Sequence, residues 1–170
     1  MKKLISLMLV LVMCTLALTS CGGNGSPEAA VEAVLAVVYD LDFDGVKDLL
    51  PEEMWEELYD EMDVDEDDFW DDLEETFDDQ KDEMDEYDFY EVEYDIKDVD
   101  ELDEDDAEEY IDELEDYLKE DVTAVAIVEV EMTVTIEFDG EEKELDTERE
   151  FIVFEYEGSW YVHPEELPFM

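Results

Sequence analysis

The feature that most constrains the fold is a run of alternating apolar residues near the carboxyl end. Every even-numbered position from Val122 to Phe138 is apolar, and after Ile127 the odd positions turn to Glu and Thr. Because successive side chains of a strand point to opposite faces, this period of two predicts one long strand with a buried face. A strand of this length does not stay flat, so we expect twist or a β-bulge.

Two turn signals place further strands after this one. Asp139-Gly140 predicts a tight hairpin, because both residues readily adopt the left-handed backbone that such turns require. The return strand runs through Arg149 into residues 151–154, which are apolar on both faces. Glu157-Gly158 predicts another turn, into a last strand that ends near His163. The carboxyl third of the chain therefore forms an antiparallel meander.

Helical spacing of apolar residues dominates the first half of the domain. Ser26 and Pro27 are predicted as the N-cap and first residue of a helix that is apolar on nearly all faces. A short helix is expected over residues 44–50, a third helix is opened by Pro51, and a fourth is capped by Asp65. The apolar faces of these helices need a partner surface, which the predicted sheet supplies.

One more strand and one more helix complete the fold class. A helix is predicted after the cap Asp103, and the strand before it is indicated by the alternation of Tyr90, Val92, Tyr94 and Ile96. We therefore predict an α+β fold in which N-terminal helices pack on a curved antiparallel sheet of about four strands. The further helix lies between the first and second strands.

The chain is extremely acidic, with 60 Asp and Glu against eight Lys and Arg and a net charge of -52. Nucleic acid is excluded as a partner, because phosphate binding needs clustered basic residues. Electrostatics favours a cationic protein or peptide, or divalent metals. High charge is often a sign of disorder, but the hydrophobic fraction of 46% and its regular spacing predict a folded domain with an acidic surface. Adaptation to high salt would produce the same surface.

The amino terminus has the pattern of an export signal. Lys2 and Lys3 precede a short apolar segment, and Leu18-Thr19-Ser20-Cys21 resembles the lipobox of bacterial lipoproteins. The resemblance implies cleavage before Cys21, acyl chains such as palmitate on Cys21, and an extracytoplasmic domain anchored to the membrane of a bacterium. Residues 1–20 are then the signal peptide, 21–25 the lipidated cysteine and tether, and 26–170 a single domain. The alternative is an ordinary secreted protein.

Three short stretches are similar to lipoproteins of the nuclear-transport-factor-2-like (cystatin-like cone) superfamily. They are residues 26–31, residues 42–51 and the closing Gly158-Ser159-Trp160-Tyr161-Val162. The resemblance implies a cone-shaped sheet around a pocket. Members include isomerases, dehydratases and many non-enzymatic extracellular modules, so no reaction follows from it. The helix between the first and second strands departs from the simplest members and is expected to cover part of the cone.

A candidate calcium site lies in the first inter-helix turn. The residues from Asp40 through Asp42 and Asp44 to Gly45 match the first half of an EF-hand loop, in which alternate carboxylates converge on calcium. The twelfth position, which should supply a bidentate Glu, is Pro51. The alternative is an acidic turn in which Asp44 caps the short helix and the intervening Leu41 and Phe43 enter the core.

Catalytic signals are sparse. His163 is the only histidine, and its place at the end of the last strand predicts a surface or edge residue. No acidic run contains a histidine, which argues against zinc. We therefore predict a non-enzymatic binding or scaffolding domain at the cell envelope, for which a cationic partner is the favoured ligand. The alternatives are a small-molecule-binding or isomerase-like cone enzyme, which needs a carboxylate base and a Tyr donor in an apolar pocket, and a calcium-binding surface module.

Overall fold

The computed structural model describes residues 24–84, 89–115, 117–119, 121–138 and 141–167. Within these ranges the helices are α1 (Pro27–Tyr39), α2 (Glu52–Met62), α3 (Glu66–Met84) and α4 (Glu104–Glu115), with 3₁₀ helices at Phe43–Asp48 and Pro164–Glu166. The strands are β1 (Phe89–Glu101), β2 (Ala124–Phe138), β3 (Glu141–Tyr156) and β4 (Ser159–Val162). They form one antiparallel sheet in the order β1-β2-β3-β4. The predicted α+β class is confirmed, as is the helix between the first and second strands.

Two predicted helix caps are present. The Ser26 hydroxyl accepts a hydrogen bond from the backbone N–H of Ala29, and Pro27 is the first residue of α1. The Asp103 carboxylate accepts from the backbone N–H groups of Asp105 and Asp106, both at 3.2 Å. Both caps satisfy N–H groups that have no partner inside their own helix. The local sequence therefore sets where α1 and α4 begin.

The expected irregularity of the long strand lies in its partner. The pairing of β1 with β2 shifts between Ile96 and Asp98, so that Lys97 is the extra residue of a β-bulge in β1. The Lys97 ammonium lies 2.7 Å from a carboxylate oxygen of Asp95 and 2.6 Å from one of Glu131. The bulge thus coincides with a cation between two acids on neighbouring strands.

The connections of the meander follow the sequence signals. Phe138 pairs with Glu141 across the predicted hairpin, while Asp139 and Gly140 lie outside the described residues. At the second turn Glu157 and Gly158 have φ values of 52° and 78°, which is the left-handed geometry of a tight two-residue turn. This second turn is confirmed.

The core is concentrated at the end of the sheet that carries β4. Strand alternation places Ala126 and Val153 on one face, and Val125 and Phe154 on the other, and all four side chains are buried. Helix α1 contacts all four strands, and α4 contacts β2. Burial on both faces holds the β3–β4 end of the sheet rigidly against the helices, and the candidate sites lie around this end.

Candidate functional sites

A surface cleft of about 630 Å³ lies among α2, α3, the first 3₁₀ helix and the β3–β4 turn. We call it the aromatic–acidic cleft, because five aromatic residues and six acidic residues line it together with one lysine. The lining residues are Lys47, Asp48, Leu50, Pro51, Glu52, Glu53, Trp55, Glu56, Tyr59, Glu66, Trp70, Tyr156, Glu157 and Tyr161. Aromatic rings and carboxylates are the two groups that proteins use to bind organic cations.

The aromatic wall of the cleft is built by α2 and α3. The ring of Trp70 lies 5.2 Å from that of Trp55 and 6.3 Å from that of Tyr59, both in edge-to-face geometry. The indole N–H of Trp55 donates a hydrogen bond of 3.2 Å to the backbone carbonyl of Lys47. Edge-to-face contacts and this hydrogen bond orient the rings, so the wall is preformed.

A cation of the protein already lies against this wall. The Lys47 ammonium is 4.5 Å from the centroid of the Trp70 ring. At that distance the negative face of the indole attracts the ammonium group. The cleft therefore contains a cation–π contact supplied by the chain itself.

A hydrogen-bonded carboxylate joins the helical wall to the sheet. Glu53 of α2 accepts a short hydrogen bond from the Tyr156 hydroxyl and lies 3.1 Å from the Lys119 ammonium. These two contacts, the tyrosine first, lower the pKa of Glu53 below its usual value. The same pairing raises the pKa of Lys119. Glu53 is therefore ionised at neutral pH and links α2 to β3 through its hydrogen bond with Tyr156.

The tyrosines of the cleft resist ionisation. Burial, together with the negative charge of Glu66, raises the pKa of Tyr59 to about 12. Burial is also the main cause of the raised pKa of Tyr161. Desolvation disfavours charge of either sign, whereas the smaller contributions of Glu66 to Tyr59 and of Glu157 and Asp48 to Tyr161 reflect nearby negative charge, which attracts a cation.

The structure places the three aspartates of the calcium hypothesis in the turn between α1 and the first 3₁₀ helix. Asp40 is the C-cap of α1. Asp42 and not Asp44 occupies the N-cap position of the 3₁₀ helix, without a capping hydrogen bond from its side chain, so the predicted cap at Asp44 is wrong. Leu41 and Phe43 pack against the core, as the alternative interpretation predicted. Gly45 is closely packed, because an added Cβ would lie 3.1 Å from Val37 and 3.3 Å from the Asp42 carboxylate, so these side chains would have to shift slightly.

The three aspartates do not form a compact ligand set. Among the described residues, the one group of three His, Cys, Asp or Glu whose ligand atoms all lie within 4.8 Å of one another is Glu113, His163 and Glu165. Calcium binding by Asp40, Asp42 and Asp44 stays a prediction that requires the carboxylates to close around the ion.

His163 directly follows the edge strand β4, but it is buried, so of the predicted surface or edge position the surface alternative is wrong. Only 3% of it is exposed, and burial is the main cause that lowers its pKa. Strand alternation puts His163 on the same face as Tyr161 and Phe154, and this signal was available in the sequence. Nothing in the local sequence indicates that Glu113 of α4, fifty positions earlier, lies beside it.

The proposed acylation site, Cys21, lies outside the described residues, as does the signal segment 1–20. In the part of the chain that is described, no helix is both long enough and apolar enough to span a bilayer. Comparison of the chain with protein-family models, with curated proteins and with solved structures finds no significant match. The resemblances to lipoproteins and to the cone superfamily stay predictions.

Proposed function

We propose that the protein is a lipid-anchored extracytoplasmic domain whose aromatic–acidic cleft binds a cationic segment of a protein or peptide. The observation that carries this proposal is the combination of five aromatic residues, six acidic residues and a single lysine around one cleft. A guanidinium or ammonium group gains attraction from both the rings and the carboxylates, and the partly excluded solvent strengthens both interactions.

The contact between Lys47 and Trp70 supports this assignment. It provides an example, within the chain, of an ammonium group held on the aromatic wall. A side chain of a bound peptide would take the same kind of position, and Lys47 would then compete with it or repel it. Among the described residues that line the cleft, Lys47 is the one basic residue.

The isomerase-like alternative has less support. Such an enzyme needs a carboxyl group with a raised pKa in an apolar pocket. Glu53, the cleft carboxylate that contacts a tyrosine hydroxyl, has a lowered pKa instead. Among the described residues, one buried apolar cluster joins the helices to the sheet and includes Val34, Met132 and Phe151. These observations favour binding at a surface cleft over chemistry in an interior pocket.

A calorimetric titration tests the cleft. The full-length protein in a neutral detergent is titrated with a short arginine peptide, and with the same peptide made from citrulline, which keeps the shape but not the charge. Lys47→Gln is compared with Lys143→Gln, which removes the same charge from the exposed part of β3. We expect Lys47→Gln to tighten arginine-peptide binding about fivefold, equivalent to about 1 kcal/mol, because it frees the Trp70 face. Lys143→Gln should change binding little.

A second variant tests the aromatic contribution. Trp70→Leu removes the ring and should weaken binding by a similar factor, with Lys47→Gln no longer tightening it. Equal effects of the two lysine variants would show that only the overall negative charge attracts the peptide. Equal binding of the citrulline peptide would show that the positive charge of the peptide is not recognised. Either result would overturn the assignment of the cleft.

The lipid anchor needs its own test. Cells that express the protein are labelled with a radioactive fatty acid, and the wild-type chain is compared with Cys21→Ser. We expect label on the wild-type chain and none on the variant, together with release of the variant from the membrane fraction. Equal membrane association of the two chains without label would contradict lipidation at Cys21.

A further inference from the structure

Among the residues that the structure describes, His163 is the only buried polar or charged one, when the tyrosines and tryptophans are counted with the apolar core. Neither ring nitrogen has a hydrogen-bond partner in that part of the chain. Buried polar atoms are nearly always paired, because an unpaired one has lost its hydrogen bonds to water without replacement. Nε1 of Trp70 is the other buried polar side-chain atom without a partner among the described residues. The imidazole differs because two carboxylates lie near it, so it is open to a ligand shared with them.

The position of the imidazole ring is well defined. The backbone N–H of His163 donates a hydrogen bond of 2.8 Å to the carbonyl of Ile152, which extends the pairing of β3 with β4 by one residue. The ring meets that of Tyr110 on α4 edge-on, at 6.1 Å between centroids. The ring is thus held between α4 and the sheet by packing.

Two carboxylates from different elements approach this ring. Glu113 of α4 places an oxygen 3.6 Å from Nε2 of His163, and Glu165 lies in the 3₁₀ helix that follows β4. One ligand atom of each of the three residues lies within 4.8 Å of the other two. The neighbouring Glu166 is engaged elsewhere, because its carboxylate binds Arg149 at 3.2 Å.

The three donors lie slightly farther apart than the ligands of one metal ion. A separation of 3.6 Å between Nε2 and the Glu113 oxygen is too long for a hydrogen bond. Two ligands that each lie about 2.0–2.1 Å from a tetrahedral zinc ion are about 3.3 Å apart. Glu113 and Glu165 are exposed, so the proposal requires their side chains to rotate until the three donors reach that spacing.

We propose that Glu113, His163 and Glu165 bind a divalent first-row transition-metal ion such as Zn²⁺, with water in the remaining positions. Imidazole is a favourable ligand for these ions, whereas calcium and magnesium prefer oxygen alone. The buried and unpartnered imidazole distinguishes this site from the acidic surface in general, which attracts any cation. The site is separate from the aromatic–acidic cleft, because none of its three residues lines the cleft.

The single histidine of the chain makes the test direct. The untagged full-length protein, with isotope-labelled histidine and in a neutral detergent at about 0.15 M salt, is titrated with Zn²⁺, Mg²⁺ or Ca²⁺. The ring nitrogen signals are followed by NMR. We expect one ring nitrogen to shift saturably at one equivalent of Zn²⁺, and neither magnesium nor calcium to reproduce the shift.

Charge-matched variants separate ligation from general attraction. Glu113→Gln and Glu165→Gln should each weaken the zinc-dependent shift about tenfold or more, since even residues behind the ligands change metal affinity by about 10–100-fold. Glu108→Gln removes the same charge from an exposed position of α4 and should leave the shift unchanged. All three positions are exposed, so the variants should fold. An unmoved histidine signal, or equal weakening in all three variants, would overturn the proposal.

Discussion

The two halves of β3 differ sharply although they belong to one continuous strand. Residues 141–148 are all exposed, whereas in residues 151–156 four of six side chains are buried and two are half-buried. Both halves pair with β2 in unbroken register from Glu155 to Glu141. Backbone pairing therefore extends well beyond the part of the sheet that the helices cover.

The charges reinforce this difference. In the exposed half, Glu142 lies directly opposite Glu137, and Glu148 lies opposite Glu131. Like charges at such positions destabilise a strand pair. In the buried half, Tyr156 instead donates a hydrogen bond to Glu53 of α2. We infer that most of the stabilising free energy comes from the buried half. The exposed half is stabilised by its backbone hydrogen bonds to β2 and by contacts with the apolar face of β2.

The largest expected difference in stability is that between alanine variants of Phe154 and Leu145. Phe154 is 0% exposed, whereas Leu145 is 66% exposed. Phe154→Ala should lower the free energy of unfolding by about 3–5 kcal/mol, because it removes buried apolar surface and leaves a cavity. Leu145→Ala should change it by less than about 0.5 kcal/mol. Urea denaturation of both variants measures the contrast, and similar losses would contradict the inferred division of the strand.

An intermediate effect is expected at Tyr156. Tyr156→Phe removes the hydrogen bond that lowers the pKa of Glu53, and should cost about 1 kcal/mol at neutral pH. A carboxyl group with a lowered folded-state pKa stabilises the protein above its unfolded pKa, and this stabilisation is lost as pH falls through the folded pKa. The difference between wild type and variant should therefore shrink in acid. Urea denaturation at several pH values measures this difference.

Tyr94→Phe provides the control, because Tyr94 is largely exposed on β1. We expect a small change in stability there, with no dependence on pH in the range where carboxyl groups titrate. If Tyr156→Phe lowers the free energy of unfolding by the same amount at neutral and at acid pH, the ionised carboxylate of Glu53 is not the cause of the lower stability.

The smallest effect is expected in the exposed half of β3. Glu142→Lys replaces a like-charge pair by an attractive one across from Glu137. Glu144→Lys makes the same change in net charge, but its residue lies opposite Thr135. Both variants should stabilise the acidic chain by relieving general repulsion. Glu142→Lys should raise the free energy of unfolding by about 0.2–1 kcal/mol more than Glu144→Lys does. Equal urea midpoints would show that direct cross-strand repulsion contributes little.

Much of the architecture could be predicted because its signals are local. The alternation through β2, the caps Ser26 and Asp103, and the turn at Glu157-Gly158 each act within a few residues. Where two nearby residues can play the same role, the local pattern does not decide between them. The 3₁₀ helix begins at Phe43, so Asp42 takes the N-cap position that was expected for Asp44. Twist or a bulge was expected in β2, and the bulge that is present lies at Lys97 in its partner β1.

The sequence by itself determined the fold class, the strand order along the meander and the acidic character of the surface, because periodicity and turn chemistry depend on neighbouring residues. Only the tertiary structure decided which distant side chains meet. The contact of Glu53 with Tyr156 and that of Glu113 with His163 depend on how α2 and α4 pack against the sheet. How the helices pack depends on the shape of the whole apolar core, so it cannot be predicted from patterns among neighbouring residues.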